Sequence, residues 1–161
     1  LVPRMFYDYE RESAYELLCR LPTEDGLPFR HEGIGSPNPE VVFVGDRHGG
    51  CDGPCGDPLV FRSPCGDYLR QALDYTGMDL SEYHVLNGWV RGRAVEVYPH
   101  PGLVTFKPRV FVAMGEEAGR ALSELGVEYQ QVPHPQYMKR FHARDVEAYG
   151  AMLKKAATGQ C

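Results

Sequence analysis

Two short apolar runs that each end in a glycine limit the folds open to this chain more than any other feature. The runs lie in residues 40–45 and 108–115, and helical spacing follows in residues 66–77 and 116–125. A run that is apolar at every position predicts a strand buried on both faces, as in a parallel sheet. Strands that alternate with helices therefore predict a three-layer α/β/α sandwich with a short, mostly parallel central sheet.

The remaining segments complete this alternation. We predict a flanking helix over residues 8–20, a loop rich in Gly, Pro and Cys over 45–66, strands over 83–87 and 127–132, a loop over 133–141 and a terminal helix over 144–157. In such a sheet, ligands bind beyond the carboxyl ends of the strands. Gly45, Asp46, Asn87, Gly115 and His134 fall at these ends, so we expect their segments to converge on one crevice.

Length and composition are typical of one compact domain. The chain has 161 residues, of which 43% are hydrophobic and 24% charged. Residues 1–4, Leu-Val-Pro-Arg before Met5, indicate the remnant of an expression tag, so we expect a single domain over residues 5–161. Nothing approaches the roughly 20 apolar residues of a membrane span, and no signal segment follows Met5. We expect a cytoplasmic monomer with no membrane partner.

Charge and cysteine content narrow the classes of partner. The net charge is −5 and the sequence pI is about 5.7, which is unlike the basic footprint of most DNA-binding domains. A short basic strip in residues 139–144 can nevertheless hold a few phosphates beside an acidic surface. Five cysteines, an odd number, argue against a secreted disulfide framework and favour reduced thiols.

Five motifs in order carry a resemblance to a known family. They are residues 45–49 (Gly-Asp-Arg-His-Gly), residues 61–66 (Phe-Arg-Ser-Pro-Cys-Gly), Asn87, residues 111–118 and residues 134–140 (His-Pro-Gln-Tyr-Met-Lys-Arg). Together they resemble the uracil-DNA glycosylase superfamily over residues 40–153. The most similar branch has Gly-Glu-Ala-Pro-Gly after the first strand and His-Pro-Ser near the end. The resemblance implies a DNA glycosylase that flips a base out of DNA and hydrolyses its bond to the sugar.

The resemblance implies two catalytic residues. Asp46 would stabilise the cationic sugar and orient the attacking water, as a carboxylate can. His134 would donate a hydrogen bond to the base oxygen on which negative charge collects. The structural alternatives are an Asp that caps a turn and a His packed under its loop.

The other implied roles concern base and DNA binding. Phe61 would stack on the flipped base and Asn87 would read its edge, with Gly45, Arg47 and His48 completing the base-binding pocket. A core Phe and a turn-forming Asn are the structural alternatives. For the duplex, Met138 would be the apolar wedge, while Lys139 and Arg140 would hold the neighbouring phosphates. An exposed Met beside a solvated basic turn is the alternative there.

The chain departs from the family's pattern in three places. His48 replaces the Pro of the first motif, and Asp46 replaces its Glu, which is one methylene longer. Gln136 replaces the Ser that follows His-Pro, and an amide cannot pin the loop as a short hydroxyl does. The insert over residues 49–56 would enlarge or cover the pocket, which would suit a base bulkier than uracil.

The cysteines do not match the iron-sulfur pattern found in some members of this branch. Cys19 stands alone, and no Cys follows Asn87 until Cys161, so we expect no cluster and no other cofactor. Thiolate and imidazole are the usual ligands of zinc, and one local set of them is available. This set consists of His48, Cys51, Cys55 and Cys65. We expect its thiols to be unpaired, and a local zinc site is the alternative.

Three functions stay open at this point. The leading hypothesis is removal of uracil or a modified pyrimidine from DNA by water attack. The same pocket could instead act on a hypermodified base or a free nucleotide, which the acidic composition and altered first motif would suit. A non-catalytic member of the fold that binds DNA or protein is the third.

Overall fold

The structure is a computed structural model that describes residues 33–47, 64–91, 97–100 and 102–159. The predicted helix over residues 8–20 and most of the loop over 45–66 lie outside the described residues. Six strands are described: β1 (Ile34–Gly35), β2 (Val41–Arg47), β3 (Tyr83–Arg91), β4 (Val97–Pro99), β5 (Val110–Met114) and β6 (Gln130–Val132). The helices are α1 (Pro64–Asp74), α2 (Gly102–Thr105), α3 (Glu116–Glu124), α4 (Pro135–Phe141) and α5 (Val146–Ala157), with a 3-10 turn at Ala143–Asp145.

The strands form one mixed, mostly parallel sheet. Four parallel strands lie in the order β3-β2-β5-β6, and β1 and β4 both pair antiparallel with the outer edge of β3. The chain moves from β2 to β3 in one direction and then crosses back to β5 and β6 in the other. The order therefore reverses between β2 and β5, which is where α/β sheets place their binding crevice.

Alternate residues of β2 face opposite layers of helices. Val41 and Phe43 pack with α1 and α5, whereas Val42 and Val44 pack with α2 and α3, and all four side chains are fully buried. Burial on both sides explains why this run is apolar at every position. Helices on both faces of the sheet agree with the predicted α/β class and are compatible with a three-layer sandwich.

The connections between the parallel strands lie on opposite faces of the sheet, as the right-handed rule requires. The crossover from β2 to β3 runs through α1 on one face, and the crossovers toward β5 and β6 run through α2 and α3 on the other. Connections that move in opposite directions across a sheet must lie on opposite faces if both are right-handed. Because the four described strands β3, β2, β5 and β6 are parallel, their carboxyl ends lie at the same edge of the sheet.

Several element boundaries differ from the predictions. The segment over residues 133–141, predicted as a loop, contains α4, because Pro135 occupies the first turn of a helix, where its missing N–H costs nothing. Strand β6 covers only the last three residues of the predicted 127–132. The strands β1 and β4 and the short helix α2 were not predicted, since each is four residues or shorter and carries little periodic signal.

Two further findings concern membranes and metals. In the described part of the chain, no helix is long and apolar enough to cross a membrane. The same residues contain no group of three or more His, Cys, Asp or Glu side chains that could hold a metal ion. The zinc hypothesis is not tested by this, because His48, Cys51 and Cys55 lie outside the described residues and the side chain of Cys65 is not described.

Candidate functional site

A cleft of about 580 Å³ opens at the carboxyl edge of the sheet, where the strand order reverses. It is lined by Asp46 from the end of β2, by residues 115–117 from the start of α3, by residues 131–134 after β6, and by Tyr137 of α4. Its volume is within the range of small-molecule sites. Three of the expected positions, Asp46, Gly115 and His134, thus meet in one crevice.

His134 is the best-defined side chain of the cleft. It is the N-cap residue of α4, and its Nδ1 accepts a hydrogen bond of 2.9 Å from the backbone N–H of Gln136. An N–H can only donate, so Nδ1 carries no proton and the neutral ring holds its proton on Nε2. The backbone, rather than the side chain of residue 136, therefore fixes the ring.

Burial lowers the pKa of His134 below its ordinary value of 6.5, and the charge of Asp46 opposes part of this shift. Protonation of Nδ1 would break the hydrogen bond from the Gln136 N–H, and this cost also lowers the pKa of His134. The imidazole is consequently neutral at physiological pH. A neutral ring with Nε2–H is a hydrogen-bond donor that brings no positive charge into the cleft.

Gly115 leaves room for the side chain of His134. Its φ of +106° lies in a region that L side chains rarely adopt, and a Cβ at this position would lie 3.1 Å from the Cβ of His134. The Gly115 N–H also donates to the Val132 carbonyl at 2.8 Å, which ties the start of α3 to the end of β6. Gly115, which directly follows β5, is thus required both for the backbone conformation and for the space that the His134 side chain occupies.

Two tyrosines hold the ends of the segment that carries His134. Tyr149 of α5 is fully buried and its hydroxyl donates to the Pro133 carbonyl at 2.6 Å. Tyr68 of α1 donates to the His142 carbonyl at 3.0 Å. The two rings are 5.9 Å apart in the core beneath α4. Sequence reasoning missed this tether, since nothing in the sequence pairs residues so distant along the chain.

The opposite wall of the cleft is acidic. Glu116 and Glu117 form the first turn of α3, where the helix dipole favours negative charge. The Trp89 indole N–H donates to the Glu117 carbonyl at 2.7 Å and fixes this turn. Arg120 pairs with the Glu117 carboxylate and lies over the Trp89 ring, 4.7 Å from its centroid. Because Arg120 offsets the charge of Glu117, Asp46 and Glu116 give the cleft a net negative charge on this side, which the sequence analysis did not identify.

Gly45 and Asn87 lie side by side on β2 and β3. A Cβ on Gly45 would come within 2.9 Å of the Asn87 Oδ1, so the missing side chain leaves room for this amide. Asn87 is half-buried and does not line the cleft itself. The other expected base-binding positions are Phe61 and His48, which lie outside the described residues, and Arg47, whose backbone ends β2 but whose side chain is not described.

The expectation that Met138 is a surface wedge is wrong in this structure. Met138 is only 4% exposed and packs in the core under α4. Helical spacing explains the difference: Pro135 and Met138 are three residues apart and both face inward. Lys139 and Arg140 are exposed, as a phosphate-binding role requires. The exposed apolar side chains of α4 are Tyr137 and Phe141 instead.

Two comparisons of the sequence with known proteins found no match. The sequence matches no protein-family model, and none of the curated proteins is significantly similar to it. The geometry of the cleft and the order of the sequence motifs are therefore the features that indicate a function.

Proposed function

We propose that the chain is a DNA glycosylase of the uracil-DNA glycosylase superfamily that hydrolyses the bond between a base and its sugar. The observation that carries this proposal is that Asp46 and a neutral His134 line the same cleft. Cleavage of an N-glycosidic bond develops positive charge on the sugar and negative charge on the base. An enzyme for this reaction needs an anionic group and a neutral hydrogen-bond donor on opposite sides of the breaking bond.

The roles follow from the chemistry of the two groups. The Asp46 carboxylate stabilises the developing sugar cation and accepts a proton from the water that attacks C1′. The Nε2–H of His134 donates to the carbonyl oxygen of the departing base. The C1′–N bond breaks, the hydroxyl of water bonds to C1′, and the base leaves and takes up the remaining proton. An imidazole that stays neutral can act in this way without attracting the phosphates of the strand.

The fold supports the proposal without deciding it. The cleft lies at the reversal of strand order, and three positions of the motifs that resemble the family, Asp46, Gly115 and His134, line it. We propose DNA as the partner, with Lys139 and Arg140 on its phosphates, and a cytoplasmic monomer as the working state. The acidic wall of the cleft would keep phosphates away from the base-binding position.

The acidic wall also favours a second candidate. Carboxylates only accept hydrogen bonds when ionised, so Glu116, whose neighbour Glu117 is paired with Arg120, suits a base with additional exocyclic donors. Such a base would be a hypermodified one, in DNA or as a free nucleotide. The phosphate contacts separate the two forms, because a free nucleotide has no neighbouring phosphates for Lys139 and Arg140.

The proposal is tested with labelled oligonucleotides that contain uracil, hydroxymethyluracil, hypoxanthine, a hypermodified pyrimidine or normal bases. After incubation, alkali cleaves any abasic site. We expect cleavage of one substrate class by the wild type, with loss in Asp46→Asn and in His134→Ala. Removal of one such charge-stabilising donor costs about 10²- to 10³-fold in rate. Equal cleavage by wild type and both variants, or none on any substrate, would refute the proposal.

A further inference from the structure

Two aromatic side chains of α4 are exposed beside the cleft. Tyr137 is 50% exposed and Phe141 is 63% exposed, which is the largest value among the bulky apolar side chains that the structure describes. Their ring centroids are 5.2 Å apart, and the ring of His142 is 5.6 Å from that of Tyr137. We call Tyr137 and Phe141 the aromatic pair. Its members are four residues apart, so they share one face of the helix.

The aromatic pair is not explained by the core. The inward face of α4 is formed by Pro135 and Met138, and the two tyrosines beneath hold the segment through backbone carbonyls. Exposed aromatic rings in contact present open π-faces to solvent. A hydrophobic surface of this kind next to a binding cleft indicates an interaction site.

The position of the pair links it to the cleft. Tyr137 lines the cleft together with His134, while Phe141 continues the same helix face away from it. A ligand in the cleft can contact Tyr137, and a part of it that extends outside the cleft can contact Phe141. The pair thus fits a chain-like ligand of which only one unit enters the cleft.

The charges around the pair identify the kind of chain. Lys139, Arg140 and Arg144 are exposed on α4 and the turn that follows it. The sequence holds no Asp or Glu between Glu128 and Asp145, although the whole protein is acidic. Arg140 is three residues from Tyr137 and so lies on the adjoining helix face. Rings flanked by cations match a ligand that carries planar groups on an anionic backbone.

We propose that the aromatic pair stacks on unpaired bases next to the one in the cleft, so that the substrate is a single-stranded rather than a duplex DNA. Bases paired in a duplex have their faces covered by neighbours, whereas unpaired bases can stack on protein rings. This inference rests on the proposed function, because it takes the cleft occupant to be a base in DNA. It also replaces Met138 as the apolar contact with the strand.

The test measures binding of a fluorescein-labelled single strand and of the matching duplex by anisotropy, both carrying an uncleavable abasic-site analogue. We expect the wild type to prefer the single strand. Phe141→Ala and Tyr137→Ala should each weaken single-strand binding roughly 5- to 100-fold, the usual effect of losing one stacked base. Phe141→Leu should lose nearly as much, because it keeps apolar bulk but lacks a ring face.

Tyr75→Ala is the matched control. Tyr75 is 53% exposed, but it follows α1 at the opposite edge of the sheet. This variant should bind as the wild type does. A second signal comes from 2-aminopurine placed beside the abasic analogue, whose fluorescence stacking quenches. We expect quenching by the wild type and by Tyr75→Ala, and much less by Phe141→Ala.

The outcomes separate this inference from the proposed function. Base excision by the wild type together with strand binding that is indifferent to Phe141→Ala and Tyr137→Ala would overturn the inference alone. A duplex bound as tightly as the single strand would also overturn it. Ring-dependent binding of the single strand without excision of any base would support the inference and refute the enzymatic function.

Discussion

At the scale of single residues, the hydrogen bond to His134 decides which ring nitrogen carries the proton. The Gln136 N–H occupies Nδ1, so Nε2–H is left to act in the cleft. The chain has Gln136 where the family it resembles has Ser, and the difference matters little for the ring because the backbone makes this contact. Asp46 lies in the same cleft and is the second-to-last residue of the buried strand β2.

The lowered pKa of His134 predicts the pH dependence of the protein. Above pH 6.5 the ring is neutral in both the folded and the unfolded chain. Below 6.5 the unfolded chain takes up a proton while the folded chain resists, so stability is lost as the pH falls through the lower, folded pKa. We expect excision to stay level as the pH falls through 6.5 and to decline only below it.

A pH–rate profile of kcat/KM and thermal unfolding at several pH values check this prediction. His134→Ala should unfold with a weaker pH dependence on the acid side than the wild type. A rate that halves near pH 6.5 would show that His134 titrates as an ordinary histidine.

Sequence reasoning identified the residues of the cleft better than their orientation. Asp46, Gly115 and His134 could be brought together because strand ends meet at one edge of a parallel sheet. The orientation of Met138 could not be predicted, because it depends on residues 135–141 being a helix, whereas the sequence predicts a loop over residues 133–141. Glu116 and Glu117 were recognisable only as the start of a helix, not as part of a cleft.

At the scale of elements, the turn between β5 and α3 contains Gly115, on which both the start of the helix and the position of the His134 imidazole depend. We expect Gly115→Ala to destabilise the fold by about 1–3 kcal/mol, because a side chain is forced into an unfavourable backbone region. It should also lower excision by displacing His134, whose Cβ is 3.1 Å from the added atom.

Gly126→Ala separates these two effects. Gly126 has a φ of +72°, but a Cβ there meets nothing within 4 Å. This variant should lose stability and keep its activity per folded molecule. Chemical denaturation and single-turnover excision measure the two quantities. Unchanged activity in Gly115→Ala would show that the glycine serves the backbone alone.

The tether of α4 by Tyr149 gives the next prediction. Tyr149→Phe removes the hydrogen bond to the Pro133 carbonyl, next to His134 in the chain, and keeps the ring that fills the core. We expect a loss of about 0.5–1.5 kcal/mol in stability and a slower excision step. Tyr129→Phe, which removes an exposed contact to Ser123, is the control. If both variants retained full activity, the tether would have no part in placing His134.

The main elements were predictable because their patterns are strong. The buried strands β2 and β5 and the helices α1 and α3 follow from apolar runs, helical spacing and the glycines at their ends. The antiparallel strands β1 and β4 depend on pairing with the edge of β3, which is a tertiary contact. Short segments of this kind have no periodic signal in the sequence.

At the scale of the whole molecule, charge is distributed unevenly. The net charge is −5, yet Lys139, Arg140 and Arg144 are all exposed within the six residues 139–144, close in sequence to Tyr137 of the cleft. If these three cations contact phosphates of a single strand, the logarithm of the binding constant should fall with the logarithm of salt concentration with a slope of about −2. The acidic remainder of the surface should make nonspecific binding weak.

The double variant Lys139→Gln and Arg140→Gln checks this prediction. It should reduce the slope by about two thirds and weaken binding most at low salt. A matched change at Lys154 and Lys155, at the end of α5, should leave the slope unaltered. Salt-independent binding by the wild type would contradict a phosphate-binding role for the basic side of α4.

The central claim is that Asp46 and His134 cleave a base from DNA, and the most direct test separates binding from chemistry at Asp46. Single-turnover excision and strand binding are measured together for the wild type and for Asp46→Asn on the substrate found to be cleaved, with product mass showing loss of the base and gain of water. We predict that Asp46→Asn binds the strand as the wild type does and excises about 10²- to 10⁴-fold more slowly. Equal excision by both proteins would contradict the account.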